Sequence, residues 1–304
     1  MKLIIQPEAG VVPVVKAIKA AKKTIDVFIF RFDRNEVEKA LAAAVQRGVQ
    51  VRALIAHTNR GGEARLRKLE QRLLAAGVLV SRTADDLIRY HAKFMVADSA
   101  LYLFGFNFTK LDIDKSRSFA ISTRDGKTVD EARKLFESDV TRQPYTPGKS
   151  HLVISPENAR AMLSAFITGA KRELAIYDSK VYDPSIIKLL KDRAAKGVQV
   201  RVIGDMKGKD PGIEERRLPM RLHVRAIVRD GTSAFVGSQS LRKDELENRR
   251  EVGLIINNPG VARKIMQVFE SDWADSSKRA KAKAEKEKYD EKAEKAKAAK
   301  KRAA

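Results

Sequence analysis

Residues 47–55 read RGVQVRALI and residues 196–204 read KGVQVRVIG, one segment carried twice at an offset of 149. Each copy follows a helical stretch, and each helical stretch follows an apolar strand, TIDVFIFRF from Thr24 and RELAIYDSK from Arg172. Ser155 before Pro156 and Asp183 before Pro184 are good N-cap and first-turn pairs, since the side-chain oxygen takes a free helix N–H and proline has none to leave unpaired. Strands alternating with helices predict an α/β sandwich. Two copies of one unit pack about a pseudo-twofold axis, and the groove between them is the natural place for a shared site that requires no oligomer. Pro144, Pro147 and Gly148 in PYTPGKS mark the join. The expected organisation is one lobe over 1–146, a second over 147–275 and a tail over 276–304.

The repeat continues at a second offset. HAKFMVADSALYLFG, from His91, aligns with HVRAIVRDGTSAFVG, from His223, at an offset of 132, so the first half holds seventeen extra residues between its matching blocks. They include the helical EARLRKLEQRLLAAG, whose Leu66, Leu69, Leu73 and Leu74 are expected to face the core. Its basic face, with Arg65, Arg67, Lys68 and Arg72, is expected to line an entrance.

The 304 residues carry a formal charge of +22, and Ser277–Ala304 supplies +7 of it from twelve basic and five acidic residues. The remaining +15 makes the body basic in its own right and calls for an anionic partner: nucleic acid, phospholipid headgroups or phosphorylated substrates. The tail reads as a solvated Lys/Ala/Glu helix or disordered arm, with a phosphate-grazing arm as the alternative. With no cysteine, disulfide frameworks, zinc knuckles, iron–sulfur clusters and thiol nucleophiles are excluded. The four histidines, His57, His91, His151 and His223, are scattered, so neither a metal nor a cofactor is expected. MKLIIQPEAG is interrupted at Gln6 and Glu8, too soon for a signal-peptide core, and no apolar run approaches the ~20 residues of a membrane span. A cytoplasmic protein, at most peripheral at the membrane, is expected.

Both matching blocks present His, one residue, a cation, four residues, Asp, six residues, Gly. Side chains at i and i+2 of a strand share a face, so His91 projects beside Lys93 and His223 beside Arg225. An imidazole beside a fixed cation is a nucleophile or acid beside a phosphate clamp. Asp98 and Asp230 fall where each strand turns back and read as structural support. A lone histidine at a strand start is ordinarily structural, but the same constellation in two repeated halves points to one composite site; His57, at the end of a strand, and His151, at the join, read as structural or surface residues.

These blocks resemble the phospholipase D superfamily, whose HxKxxxxDxxxxxxGSxN motif occurs twice in most members. The resemblance spans roughly residues 1–275 and includes FESDW from Phe269. It implies a two-lobed α/β/α/β/α sandwich with both motifs at the lobe interface, and metal-independent phosphodiester cleavage through a phosphohistidine. The fit is uneven. After Gly105 the chain reads GFNFT, without the Ser and one residue short of Asn107; in the second motif Arg225 replaces Lys and Ser240 stands at the Asn position. Family members often carry an acid that orients the histidine of the opposite motif. Glu251, eleven residues beyond Ser240, supplies it in one half, whereas Ser118 stands eleven residues beyond Asn107. The resemblance then makes His91, held by Glu251, the nucleophile and His223, without such a partner, the general acid, with Lys93, Arg225 and Asn107 on the phosphate oxygens. The expected activity is cleavage or transfer of phosphatidyl groups. The alternatives are a metal-independent nuclease and a degenerate protein that binds nucleic acid or anionic surfaces.

Overall fold

The repeated segment folds as the same strand–helix–strand unit twice. A computed structural model describes residues 1–57 and 63–276. The first half runs β1 (Lys2–Gln6), α1 (Val12–Ala20), β2 (Thr24–Ile29), α2 (Asn35–Gln46), β3 (Gln50–Ile55), α3 (Glu63–Ala75), β4 (Leu79–Arg82), β5 (Arg89–Tyr90), β6 (Phe94–Ala97), β7 (Ala100–Phe104), α4 (Lys110–Asp114), β8 (Ser116–Thr123) and α5 (Gly126–Thr141). The second runs β9 (Leu152–Ser155), α6 (Ala159–Thr168), β10 (Glu173–Val181), α7 (Pro184–Ala195), β11 (Gln199–Met206), β12 (Ile213–Arg216), β13 (Arg221–Leu222), β14 (Arg225–Arg229), β15 (Ser233–Gly237), α8 (Lys243–Glu247), β16 (Arg249–Ile256) and a last helix, α9, over 259–276. The expected tail lies outside the described residues, Ser276 apart.

Parallel pairs β2·β3 and β10·β11 follow from the crossover helices α2 and α7. Asp183 caps α7 by accepting the Ile186 N–H, with Pro184 in the first turn. Ser155 does not cap a helix: it ends β9, and α6 begins only after Asn158, because Asn158 folds back to accept the Ile154 N–H and bond the Leu152 carbonyl. The seventeen-residue excess is accounted for by α3 and its approach. Leu66, Leu69 and Leu73 are buried there, but Leu74 is exposed, one position off the apolar stripe.

Each sheet runs through its own half and then borrows from the other. The first has the order β1-β8-β7-β6-β2-β3-β4 with β13 beside β8, and the second β12-β11-β10-β14-β15-β16-β5 with β9 beside β16. The borrowed strands β5 and β13 immediately precede the two motif histidines. One core cluster unites α1, α2 and α3 with the outer face of the first sheet, and another unites α6, α7 and α8 with the outer face of the second. Between the sheets lies a third cluster, containing Phe28, Phe94 and Phe119 from one side, Tyr177 and Val236 from the other, and the apolar stripes of α5 and α9. The layers are therefore α/β/α/β/α, with α5 and α9 in the middle.

Two buried arginines tie these layers across the interface. Arg117 on β8 bonds Asp272 on α9 at 2.8 Å, Glu8 at 2.8 Å and the Gln6 carbonyl at 2.9 Å. Arg250 on β16 bonds Asp139 on α5 at 3.2 Å, Glu157 at 2.7 Å and the Ser155 carbonyl at 3.0 Å. Their partners lie in a further repeat, FESDV against FESDW and QPE against SPE. Paired and hydrogen-bonded in this way, two guanidinium charges can be buried without a stranded counter-charge.

Candidate active site

His91 and His223 are each the first residue after a borrowed strand, and each is held by the opposite lobe: the His91 N–H donates to the Arg250 carbonyl at 2.8 Å and the His223 N–H to the Arg117 carbonyl at 3.1 Å. Both side chains line one cavity of about 500 Å³ at the lobe interface, with Asn107, Arg31, Arg65, Arg89 and Arg221. The hairpin turns behind them are fixed alike. Asp98 and Asp230 adopt left-handed φ of 48° and 53°. Their carboxylates accept the N–H groups of Lys22, Lys23 and Thr24 in one lobe and of Lys171, Arg172 and Glu173 in the other.

The two imidazoles stand in different fields. His91 Nδ1 is 2.9 Å from both oxygens of Glu251, which is fully buried. Where Glu251 is ionised its carboxylate only accepts, so Nδ1 carries the proton and Nε2 the lone pair. Lys93, itself buried, places Nζ 3.1 Å from the His91 ring nitrogens and donates to the His91 carbonyl at 2.7 Å, and Phe30 meets the ring edge-on at 4.7 Å. His223 Nδ1 lies 3.0 Å from the Gly105 carbonyl, which again assigns it the proton, and Nε2 is 3.6 Å from Asp112. His223 thus does have an acidic neighbour, from a residue the motif spacing does not indicate. Asp112 also accepts from the Asn107 N–H at 3.0 Å and amide at 2.7 Å, and from Arg221 at 2.7 Å.

Burial dominates the titration of these groups. It holds His91 well below the ordinary imidazole range, with the Lys93 charge acting in the same sense. It does the same to His223 against the pull of Asp112. Burial pushes Glu251 up to about 7 and brings Lys93 down to about 8. Both histidines are neutral when the cavity is empty, which keeps a lone pair on each Nε2.

Arg225 does not join the cavity wall. Its Nε donates to Ser240 at 2.7 Å, and Ser240 donates to Asp178 at 2.6 Å, 3.8 Å from the guanidinium. Buried Asp178, pushed up to about 6, claims the nearest cation, and Ser240 is too short to reach the cavity as Asn107 does. Arg225 bears on the site through its charge, which lowers both histidines. In its place Arg89 and Arg221 line the cavity two residues before each histidine, a repeat readable as IRYH and MRLH. Of the basic residues of α3, Arg65 lines the cavity, while Arg67 and Arg72 are tied to Glu70 and Glu38. His57 lies just past β3 and His151 just before β9; neither lines this cavity.

The family described as cardiolipin synthase, PLD-like domain, matches residues 14–140 and 212–273, which hold both histidine motifs and Glu251. The chain belongs to the phospholipase D superfamily. No curated relative matches it. This phospholipase D-like chain superposes on the crystal structure of polyphosphate kinase from Porphyromonas gingivalis with a TM-score of 0.74 and 20% identity, over 88% of this chain and 49% of the kinase, so it spans about half the length of that protein. Phosphatidylserine synthase from Haemophilus influenzae Rd KW20 superposes with a TM-score of 0.70 and 10% identity, over 90% of this chain and 86% of the synthase. At these identities the likeness is one of fold: the two-lobed phospholipase D-like sandwich. Among the described residues, no helix is long and apolar enough to cross a membrane.

Proposed function

We propose that this cavity transfers the phosphoryl group of a phosphodiester through a covalent phosphohistidine, with phospholipid as the substrate class. The observation that carries the reading is the unequal pair of histidines in one cationic cavity, His91 backed by Glu251 and His223 between the Gly105 carbonyl and Asp112. His91 Nε2 attacks phosphorus as the bond to the leaving oxygen breaks, and Glu251 stabilises the imidazolium charge that develops. His223, protonated at Nε2 beside Asp112 once the phosphate anion is bound, gives that proton to the leaving oxygen. It then takes a proton from the incoming water or alcohol, whose oxygen displaces His91 from phosphorus. Lys93, Arg89, Arg221 and Asn107 hold the non-bridging oxygens. Phe30, Phe32, Leu66, Leu69 and Leu111 share the lining with these cations, an amphipathic wall that suits a diester with an apolar substituent.

The test is a panel in EDTA with a phosphatidyl lipid and with single- and double-stranded DNA. Lipid turnover that survives chelation is expected, because nucleophile, acid and charge clamp are all side chains. Loss restored by a divalent metal would count against the mechanism, DNA cleavage without lipid turnover would favour the nuclease, and binding without turnover the degenerate binding protein. Trapping and mass-spectrometric mapping should place the phosphoryl group on His91. His91→Ala should abolish the adduct, whereas His223→Ala should regain much of its rate on a substrate with an acidic leaving group. A label on His223 would reverse the roles.

A further inference from the structure

Leu111 lines the cavity, Ile88 and Met220 each adjoin an arginine that does, and all three are large apolar side chains left exposed. Ile88 is 65% exposed, Leu111 50% and Met220 36%. Ile88 and Met220 occupy equivalent positions, three residues before each histidine, and each immediately precedes an arginine that lines the cavity, Arg89 or Arg221. Strand exchange attaches the segment after Ile88 to the second sheet and the segment after Met220 to the first. The Ile88 N–H is bonded to the Asn248 carbonyl at 3.1 Å, so its exposure comes from ordered backbone. Leu111 is tied to Arg221, the residue after Met220: the Leu111 carbonyl accepts from Ser116 at 2.7 Å, and Ser116 Oγ accepts from Arg221 at 2.7 Å.

We infer that the surface around the cavity docks on an anionic phospholipid bilayer, with Ile88, Leu111 and Met220 entering the acyl boundary and the arginines at headgroup level. The inference rests on the phospholipid reading above and adds to it the surface that brings the cavity to its substrate. Apolar tips ringed by cations are the pattern of interfacial membrane binding. Arg31 and Arg65 line the cavity with no carboxylate paired to them among the described residues, so the mouth retains positive charge for the headgroups. A nucleic acid would call for aromatic stacking surfaces, but the exposed apolar residues are aliphatic. A protein partner would call for an apolar interface core depleted in charge, and arginines interrupt this one.

Cosedimentation of the full chain with vesicles of phosphatidylcholine, with and without phosphatidylglycerol, tests the inference. Wild type and the double variant Ile88→Ser with Met220→Ser are compared at low and at high salt. At low salt both should bind the phosphatidylglycerol vesicles, since the basic charge is untouched. Where salt screens that charge, wild type should stay bound and the double variant should bind roughly tenfold or more weakly, for lack of apolar contact. Equal binding by the two proteins at high salt, or no binding of wild type to phosphatidylglycerol vesicles, overturns the docking surface. Turnover of a small soluble diester, measured without vesicles, should be unchanged in the double variant, which also shows that it is folded. Vesicle binding without turnover of any diester would leave the docking surface standing and defeat the proposed function; turnover without apolar-dependent vesicle binding would do the reverse.

Discussion

His91 and His223 share a residue type, a motif and a cavity, and differ in what accepts their Nδ1 proton. A carboxylate behind His91 can stabilise a full positive charge, whereas the Gly105 carbonyl behind His223 fixes the tautomer without adding charge. The carboxylate is costly to keep there, since burial pushes Glu251 from 4.5 up to about 7. Folded protein then holds a proton that unfolded protein has released between these values, so this group's contribution to stability falls as pH rises through the window and is flat above it. Glu251→Gln removes that dependence. Unfolding free energies of variant and wild type, measured by denaturant titration from pH 5 to 8, should shift progressively in the variant's favour up to about pH 7, by an amount of order 1–3 kcal/mol. The same variant should accumulate less phosphohistidine. A constant stability gap across the window would show that Glu251 titrates elsewhere.

The two-residue strands β5 and β13 are too short to be stable by themselves and persist because the opposite sheet supplies their partners. Each delivers a histidine to the interface, and beside each an arginine on the receiving strand pins a middle helix. Arg250→Ala would strand Asp139, which is buried and already pushed up to about 6, together with Glu157. Breaking one side of a buried pair costs about 3–5 kcal/mol, so the denaturant midpoint should fall accordingly. Adding Asp139→Asn should recover part of that loss, because the uncompensated charge is then gone. No recovery in the double variant would place the cost in packing instead.

Over the whole molecule the charge of +22 governs encounter with anionic partners more than fold. Binding to DNA or anionic vesicles should weaken steeply with salt as counterions are released. Deleting Lys278–Ala304 should flatten that slope and leave turnover of a small soluble diester nearly unchanged. Equal loss of both would show that these residues belong to the fold or the site.

The doubled GVQVR segment, the strand–helix alternation and the paired His-x-cation spacing were enough to predict two like lobes with a site between them, because local periodicity and repetition are written directly in the chain. Glu251 was legible through the resemblance, as the acid that family members often carry beyond the motif, kept in one half only. FESDV against FESDW and IRYH against MRLH are equally legible in the chain, and they mark the helix partners of the two interface arginines and the cavity arginines. The rest was decided in three dimensions. That Arg225 turns to Ser240 and Asp178, that Asp112 stands beside His223, and that each histidine hangs from the other lobe's sheet depend on which buried charge lies nearest which cation. Those distances exist only after residues far apart in the chain, more than a hundred positions for Asp112 and His223, have been packed, where desolvation makes an unpaired charge too costly to leave alone.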